Sequence, residues 1–238
     1  MSIMTNPLVL RLRGVLRSTG ATKFLARLGR ETAYEKKYAE ALALDIREGD
    51  VVWDVGANVG VYALQFSDWV GSAGRVFAFE PNPRNVARLM LNCGVRPNID
   101  IRAVGLSSET LHGDMVDGED DLGALSHIVA PSDASGGNRF EVVLHKGDAL
   151  VQSGTVPVPN VIKIDVEGHE IAVLSGLKLT LADPRLRSVF LEVHFAILEQ
   201  NGQADAPQKI EQKLREYGFC LNWTDPSHLR ASRLMDSM

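Results

Sequence analysis

From Val51 onward, short apolar runs alternate with segments of about a dozen residues whose apolar positions recur three and four apart, and nothing else in the chain restricts its fold as tightly. The runs are Val51 to Val55, Arg75 to Glu80, Ile99 to Leu106, Val161 to Val166 and Ser188 to His194, each rich in Val, Ile, Leu or Phe. Unbroken apolar runs of this length describe strands covered on both faces, as parallel strands are. Helical spacing at Val61 to Trp69, Arg84 to Asn92, Glu170 to Leu181 and Gln208 to Tyr217 supplies the crossovers. The expectation is an α/β fold with a doubly wound, mostly parallel Rossmann-like sheet.

The domain expected from this pattern runs over 46–238. A helical extension over 1–45 precedes it, with a second helical stretch at about Tyr34 to Leu44. The rhythm breaks at about 111–159, first acidic (Asp114, Asp117, Glu119, Asp120, Asp121), then loop-like, with one strand-like run at Phe140 to Leu144. It reads as an insertion beside the cleft. The tail from Pro226 holds at most a last edge strand.

Charge divides the chain differently. The net charge is -5 from 25 bases and 30 acids, yet residues 1–30 hold six of the bases and none of the acids, leaving the body at -11. An acidic body argues against a nucleic-acid-binding domain. Leu8, Leu12, Val15, Leu16, Phe24, Leu25 and Leu28 accompany the early arginines at helical spacing. Three roles are open to such a basic amphipathic segment: a helix over the body or its cleft, peripheral membrane contact, or a partner or targeting contact. No apolar run reaches the roughly 20 residues of a membrane span. The two cysteines, Cys93 and Cys220, lie far apart, which suits a reducing, cytoplasmic setting.

Chemistry concentrates where the apolar runs end. Asp54-Val55-Gly56-Ala57-Asn58-Val59-Gly60 closes the first strand and opens the first helix, so its glycines let the backbone turn sharply and approach a ligand. The G-x-G-x-x-G spacing of a dinucleotide loop is not met. An acid beside small residues suits a zwitterionic ligand better than a diphosphate. Glu80, in Phe79-Glu80-Pro81, ends the second strand, where a carboxylate can accept the hydroxyls of a ribose. In Ile162-Lys163-Ile164-Asp165-Val166-Glu167-Gly168-His169-Glu170 the two-residue period puts Lys163, Asp165 and Glu167 on one face. Leu191-Glu192-Val193-His194 does the same for Glu192 and His194. Asp165, Glu167, Glu192 and His194 have the chemistry to hold a hard divalent ion, although no ligand-spacing motif demands one and none is expected. A Lys163–carboxylate pair that only ties strand ends, and a Glu170 that only complements a helix dipole, are the structural readings of the same stretch.

Together DVGANVG at 54–60, FEP at 79–81, IKIDVEGHE at 162–170 followed by VLSG at 173–176, and LEVH at 191–194 resemble the FkbM family of class I methyltransferases, over roughly Val51 to His194. The resemblance implies a seven-stranded sheet with one antiparallel strand and S-adenosylmethionine as methyl donor. It also implies a small-molecule or glycan hydroxyl acceptor, on a sugar, glycolipid or polyketide-like product. It further implies that Asp54, Gly56, Asn58 and Gly60 line the methionine part of the donor, Glu80 the ribose, and Asp165 with Glu167 the region of the transferred methyl. Two departures stand out. Lys146-Gly147-Asp148 replaces the Thr-Leu-Asp often found before the IKIDVEG strand, and His169 stands where Ala is more usual.

The expected reaction is in-line attack of an acceptor oxygen on the sulfonium methyl, with His194 as first choice of general base and Asp165, Glu167 or His169 as alternatives. Two other classes compete with it. One is a cofactor-binding module without chemistry, acting as a membrane-surface or complex subunit through its basic N-terminus. The other is a nucleotide-dependent oxidoreductase.

Overall fold

The structure, a computed structural model, describes residues 33–116, 127–129 and 139–233. The basic segment expected within 1–30, the acidic residues 117–121 and the loop from Pro131 to Asn138 lie outside the described residues.

Helix α1 (Ala33–Asp45) leads into β1 (Val51–Val55), α2 (Val61–Val70), β2 (Arg75–Phe79), α3 (Pro83–Cys93) and β3 (Ile99–Arg102). Next come β4 (Gly105–Ser107), β5 (Leu111–Val116), β6 (His127–Val129), β7 (Arg139–Lys146) and α4 (Gly147–Gln152). The chain continues through β8 (Val161–Ile164), α5 (Glu170–Ser175), α6 (Lys178–Ala182), β9 (Ser188–Glu192), α7 (Phe195–Gln200), α8 (Ala206–Glu216), β10 (Cys220–Trp223) and β11 (His228–Ser232). Seven strands form one sheet in the order β10-β11-β9-β8-β1-β2-β3. Only β11 runs against its neighbours. This is the expected α/β sheet, with its single antiparallel strand.

The alternation along the strands sorts side chains to the two faces. Trp53, Val55, Phe77, Phe79, Ile162, Ile164, Val189 and Leu191 join the core on one face, and Val52, Val76, Ala78, Val161 and Phe190 the core on the other. Tyr38, Leu42 and Ile46 belong to the second core, so the end of the basic extension is packed onto the sheet. Asp54 and Lys163 lie on that same face as register partners across β1 and β8.

Three stretches differ from the sequence reading, the first two where the backbone makes a close contact. The run Ile99 to Leu106 is not one strand. After Arg102 the chain leaves the main sheet, and β4 pairs with β7 in a second sheet of order β4-β7-β5-β6. Gly105 permits this because a Cβ there would lie 2.6 Å from Leu144. The helix expected over Glu170 to Leu181 is two helices, since Gly176 caps α5 and abuts the Ser107 carbonyl, 2.0 Å from where a Cβ would stand. The last strand is not at the edge. β11 inserts between β9 and β10, and β10, which no apolar run announced, takes the edge. Among the described residues no helix is long and apolar enough to cross a membrane.

Strand order reverses between β1 and β8, since the chain builds outward to β3 on one side and to β9 on the other. Open α/β sheets bind ligands at this switch, beyond the carboxyl ends of the strands.

Candidate active site

A cleft partly open to solvent lies at that switch point. Its walls come from the ends of three strands: Val55, Gly56 and Asn58 after β1, Phe79, Glu80 and Pro81 after β2, and Asp165, Val166, Glu167 and His169 after β8. The second sheet closes the mouth with Gly105, Leu106 and Met115.

The β1–β2 side is built by main chain. Gly56 has φ +80°, and a Cβ on it would lie 1.9 Å from the Asp165 carbonyl oxygen, so only glycine lets the β1 turn pass over the end of β8. Asn58, at φ 50°, donates its N–H to Glu80 Oε2 at 2.8 Å, and Asn82 N–H donates to Oε1 at 2.9 Å. Burial raises the proton affinity of Glu80, and these two amides oppose it. Each carboxylate oxygen keeps a lone pair for a ligand hydroxyl. Asn58 Oδ1 is buried without a hydrogen-bond partner among the described residues. Two residues named from the motif stand behind this wall. Asp54 is fully buried 3.2 Å from Lys163 Nζ, which also donates to the Gly56 carbonyl at 3.1 Å. Burial alone would lower the Lys163 pKa, but Asp54 and then Asp165 hold it raised. Gly60 serves helix packing, since a Cβ there would lie 2.5 Å from Cys93 Sγ.

The β8–β9 side is built by side chains. Glu167 is the second non-glycine residue with left-handed φ (42°) among the described residues, followed by Gly168 at 89°. This strained turn, of a kind that costs about 1–3 kcal/mol, ends the two-residue alternation and sets the Glu167 carboxylate against His194. His194 Nε2 lies 3.4 Å from Glu167 Oε2 and 3.5 Å from Asp165 Oδ1. Burial raises the Glu167 pKa to about 7, with Asp165 adding to the rise and His194 opposing it.

Glu170 organises the floor. Fully buried, its Oε1 accepts from Gly168 N–H at 3.1 Å, from His194 N–H at 3.3 Å and from His194 Nδ1 at 2.6 Å. A residue that sequence reading left as a helix-end charge therefore joins the β8 turn to the end of β9. Burial would lower the His194 pKa, but the Glu170 bond and the charges of Glu192 and Glu167 raise it to about 10. The first-choice base of the sequence, His194, thus lies behind the residues that line the cleft, with Nδ1 on Glu170 and Nε2 facing Glu167 and Asp165. His169 does line the cleft, with Nε2 2.9 Å from Ser107 Oγ, and burial lowers its pKa.

His228 and Asp225, which the sequence pattern did not single out, extend the cluster. His228 Nδ1 lies 2.7 Å from Asp225 Oδ2 and its Nε2 3.3 Å from Glu192 Oε2. Asp148, the acid kept from the Thr-Leu-Asp stretch, is structural. It accepts from Leu179 N–H and Thr180 N–H at 2.9 Å each and so caps α6.

The methyltransferase FkbM domain matches residues 54–221, from the β1 turn to β10. The chain belongs to the FkbM methyltransferase family. Within curated FkbM-family relatives it is 36% identical to the hexuronic acid methyltransferase AglP of Haloferax volcanii, over 71% of this chain and 66% of that protein. It is 31% identical to the 31-O-demethyl-FK506 methyltransferase FkbM of Streptomyces tacrolimicus, over 63% of this chain and 68% of that one. The chain thus aligns with about two thirds of the length of each. The fold is shared with a Streptococcus mutans protein solved in complex with SAH, at 10% identity and TM-score 0.51 over 86% of this chain and 99% of that one. A Clostridium thermocellum protein ascribed to rRNA methylation matches at 11% identity and TM-score 0.51, over the same shares of the two chains. At these identities the likeness concerns the fold alone.

Proposed function

We propose that this protein transfers a methyl group from S-adenosylmethionine to an oxygen of a sugar or glycan acceptor. The observation that carries the reading is one cleft in which a glycine-turned cradle with a ribose-type carboxylate meets a floor of two further carboxylates. The donor fits the cradle: the unpartnered Asn58 Oδ1 and the spare lone pairs of Glu80 suit its hydroxyls and amine, and Phe79, Pro81, Leu106 and Val166 supply apolar walls for a base. S-adenosylmethionine, when bound, supplies a methyl on a positively charged sulfur, which the acceptor oxygen takes as the carbon–sulfur bond breaks.

The chain's own part is alignment and removal of one proton. Asp165 is pinned between Lys163 Nζ at 3.4 Å and His194 Nε2 at 3.5 Å. Glu167 lines the cleft, with Oε2 3.4 Å from His194 Nε2, and is assigned to receive the hydroxyl proton. Met115 and Leu106, from the second sheet, line the same cleft and are assigned to its acceptor side. AglP, named for hexuronic acid, supports a sugar acceptor, and the second relative a hydroxyl on a larger natural product. The test is transfer of labelled methyl to a panel of uronic-acid glycans, neutral glycans and polyketides. Label on a sugar oxygen supports the reading, and donor binding with no transfer to any member contradicts it.

A further inference from the structure

Five carboxylates and two imidazoles meet beyond the ends of β8, β9 and β11: Asp165, Glu167, Glu170, Glu192 and Asp225 with His194 and His228. The two imidazoles are set alike. Each turns Nδ1 to a carboxylate behind it at hydrogen-bond distance, His194 to Glu170 at 2.6 Å and His228 to Asp225 at 2.7 Å. Each then faces the middle of the cluster with Nε2, and there the spacing opens. His194 Nε2 stands 3.5 Å from Asp165 Oδ1 and 3.4 Å from Glu167 Oε2. Charge-assisted N–H···O bonds run at about 2.7–2.9 Å, so these contacts are too long to be good ones. Donors held about 2.1–2.3 Å from a shared ion stand roughly 3.0–3.5 Å apart when adjacent, which is the spacing found. One donor atom from each of Asp165, Glu167 and His194 lies within 4.8 Å of the other two.

A separate observation points to the same place. Tyr38, on α1, is 1% exposed, and its hydroxyl has no hydrogen-bond partner among the described residues. Its ring packs on His228 with centroids 4.0 Å apart, and His228 Nε2 in turn faces Glu192 Oε2 at 3.3 Å. A buried phenol left unsatisfied beside carboxylates marks a partner that the protein does not itself supply, such as water carried by an ion.

We propose that His194 Nε2, Asp165 and Glu167 bind one divalent cation of the class that takes mixed imidazole and carboxylate ligands, Mn²⁺ or Zn²⁺ before Mg²⁺ or Ca²⁺. Glu170 is the positioning residue that orients His194 from behind. The inference rests on the methyl transfer proposed above. The ion holds the acceptor oxygen over the floor and lowers its affinity for its proton, and the Glu167 carboxylate oxygen that does not bind the ion receives that proton.

Mn²⁺ titrated into the full chain, with the free ion followed by its paramagnetic resonance, tests the site directly. One bound equivalent is expected, and both Glu167→Gln and Glu170→Gln lower the affinity about 10–100-fold or more. Circular dichroism checks that each is folded. If Glu170→Gln does not fold, Glu167→Gln carries the comparison. No Mn²⁺ bound at millimolar concentration, or wild-type affinity in Glu167→Gln, overturns the site. Calorimetry with S-adenosylmethionine on a chelator-treated sample separates the two readings. Donor binding without Mn²⁺ binding removes the cation and leaves methyl transfer standing, whereas loss of donor binding in the native chain removes both.

Discussion

On the β1–β2 side of the cleft, Glu80 is held by the amides of Asn58 and Asn82 and the turn by a glycine that nothing larger can replace. On the β8–β9 side, Asp165, Glu167, Glu192 and His194 are held by one another and by Glu170. The first wall is shaped by backbone and presents few charges. The second is an assembly of buried charges in which each group sets the proton affinity of the next. A wall of backbone recognises a constant ligand by shape, whereas converging side chains can move a proton or hold an ion. The division matches a reaction with one fixed donor and acceptors that differ between relatives.

Substitutions on the two sides therefore fail in different ways. The largest expected effect is on the side-chain wall. Glu167→Gln keeps the shape, removes the proposed proton acceptor, and lowers kcat by about 10²–10⁴-fold with little change in donor affinity, read by labelled-methyl transfer beside calorimetry. A matching loss of donor affinity would break the comparison. Gly56→Ala attacks the backbone wall. Strain of about 1–3 kcal/mol from its left-handed φ, with a Cβ directed at the Asp165 carbonyl, lowers donor affinity roughly 5–150-fold and destabilises the fold, as calorimetry and urea unfolding would show. Glu80→Gln is milder. Exchanging one carboxylate oxygen for an NH2 sets a donor against the Asn58 or Asn82 N–H and removes the charge, which costs about 1–2 kcal/mol, or roughly tenfold in donor affinity, without a separate effect on kcat. Smallest is Tyr38→Phe, which removes an unpartnered buried hydroxyl and raises the unfolding free energy of the unliganded chain by about 1 kcal/mol. A loss of stability there would show that the hydroxyl has a partner in solution.

The two walls were also unequally legible in the sequence. Gly56, Asn58 and Glu80 stand within a few residues of apolar runs, and a strand followed by glycines or a carboxylate is a local pattern. The side-chain wall is not local. Asp165 and Glu192 could be placed by strand alternation, but the left-handed turn at Glu167 breaks that alternation, and no residue type in Val166-Glu167-Gly168 announces it beyond the glycine. His228 and Asp225 come from the β10–β11 hairpin and Tyr38 from α1, elements that reach the site only through the sheet order. The Asp225-Pro226-Ser227-His228 spacing, with an acid three residues before a histidine, was a signal available in the tail. The surroundings of His194 were hidden for the same reason, since the carboxylate that holds its Nδ1, Glu170, lies 24 residues away in sequence. The sheet itself was legible because its strands are buried on both faces. The breaks at Gly105, in an apolar run, and at Gly176, in a helix, were not, because each depends on a contact with a distant segment.

The claim beneath all of this is that the backbone wall holds the methyl donor. Equilibrium dialysis of methyl-labelled S-adenosylmethionine against the full chain and its Gly56→Ala variant measures that claim most directly. The account predicts about one molecule retained per native chain and markedly weaker retention by the variant. Equal retention by both, or none by the native chain, would contradict it.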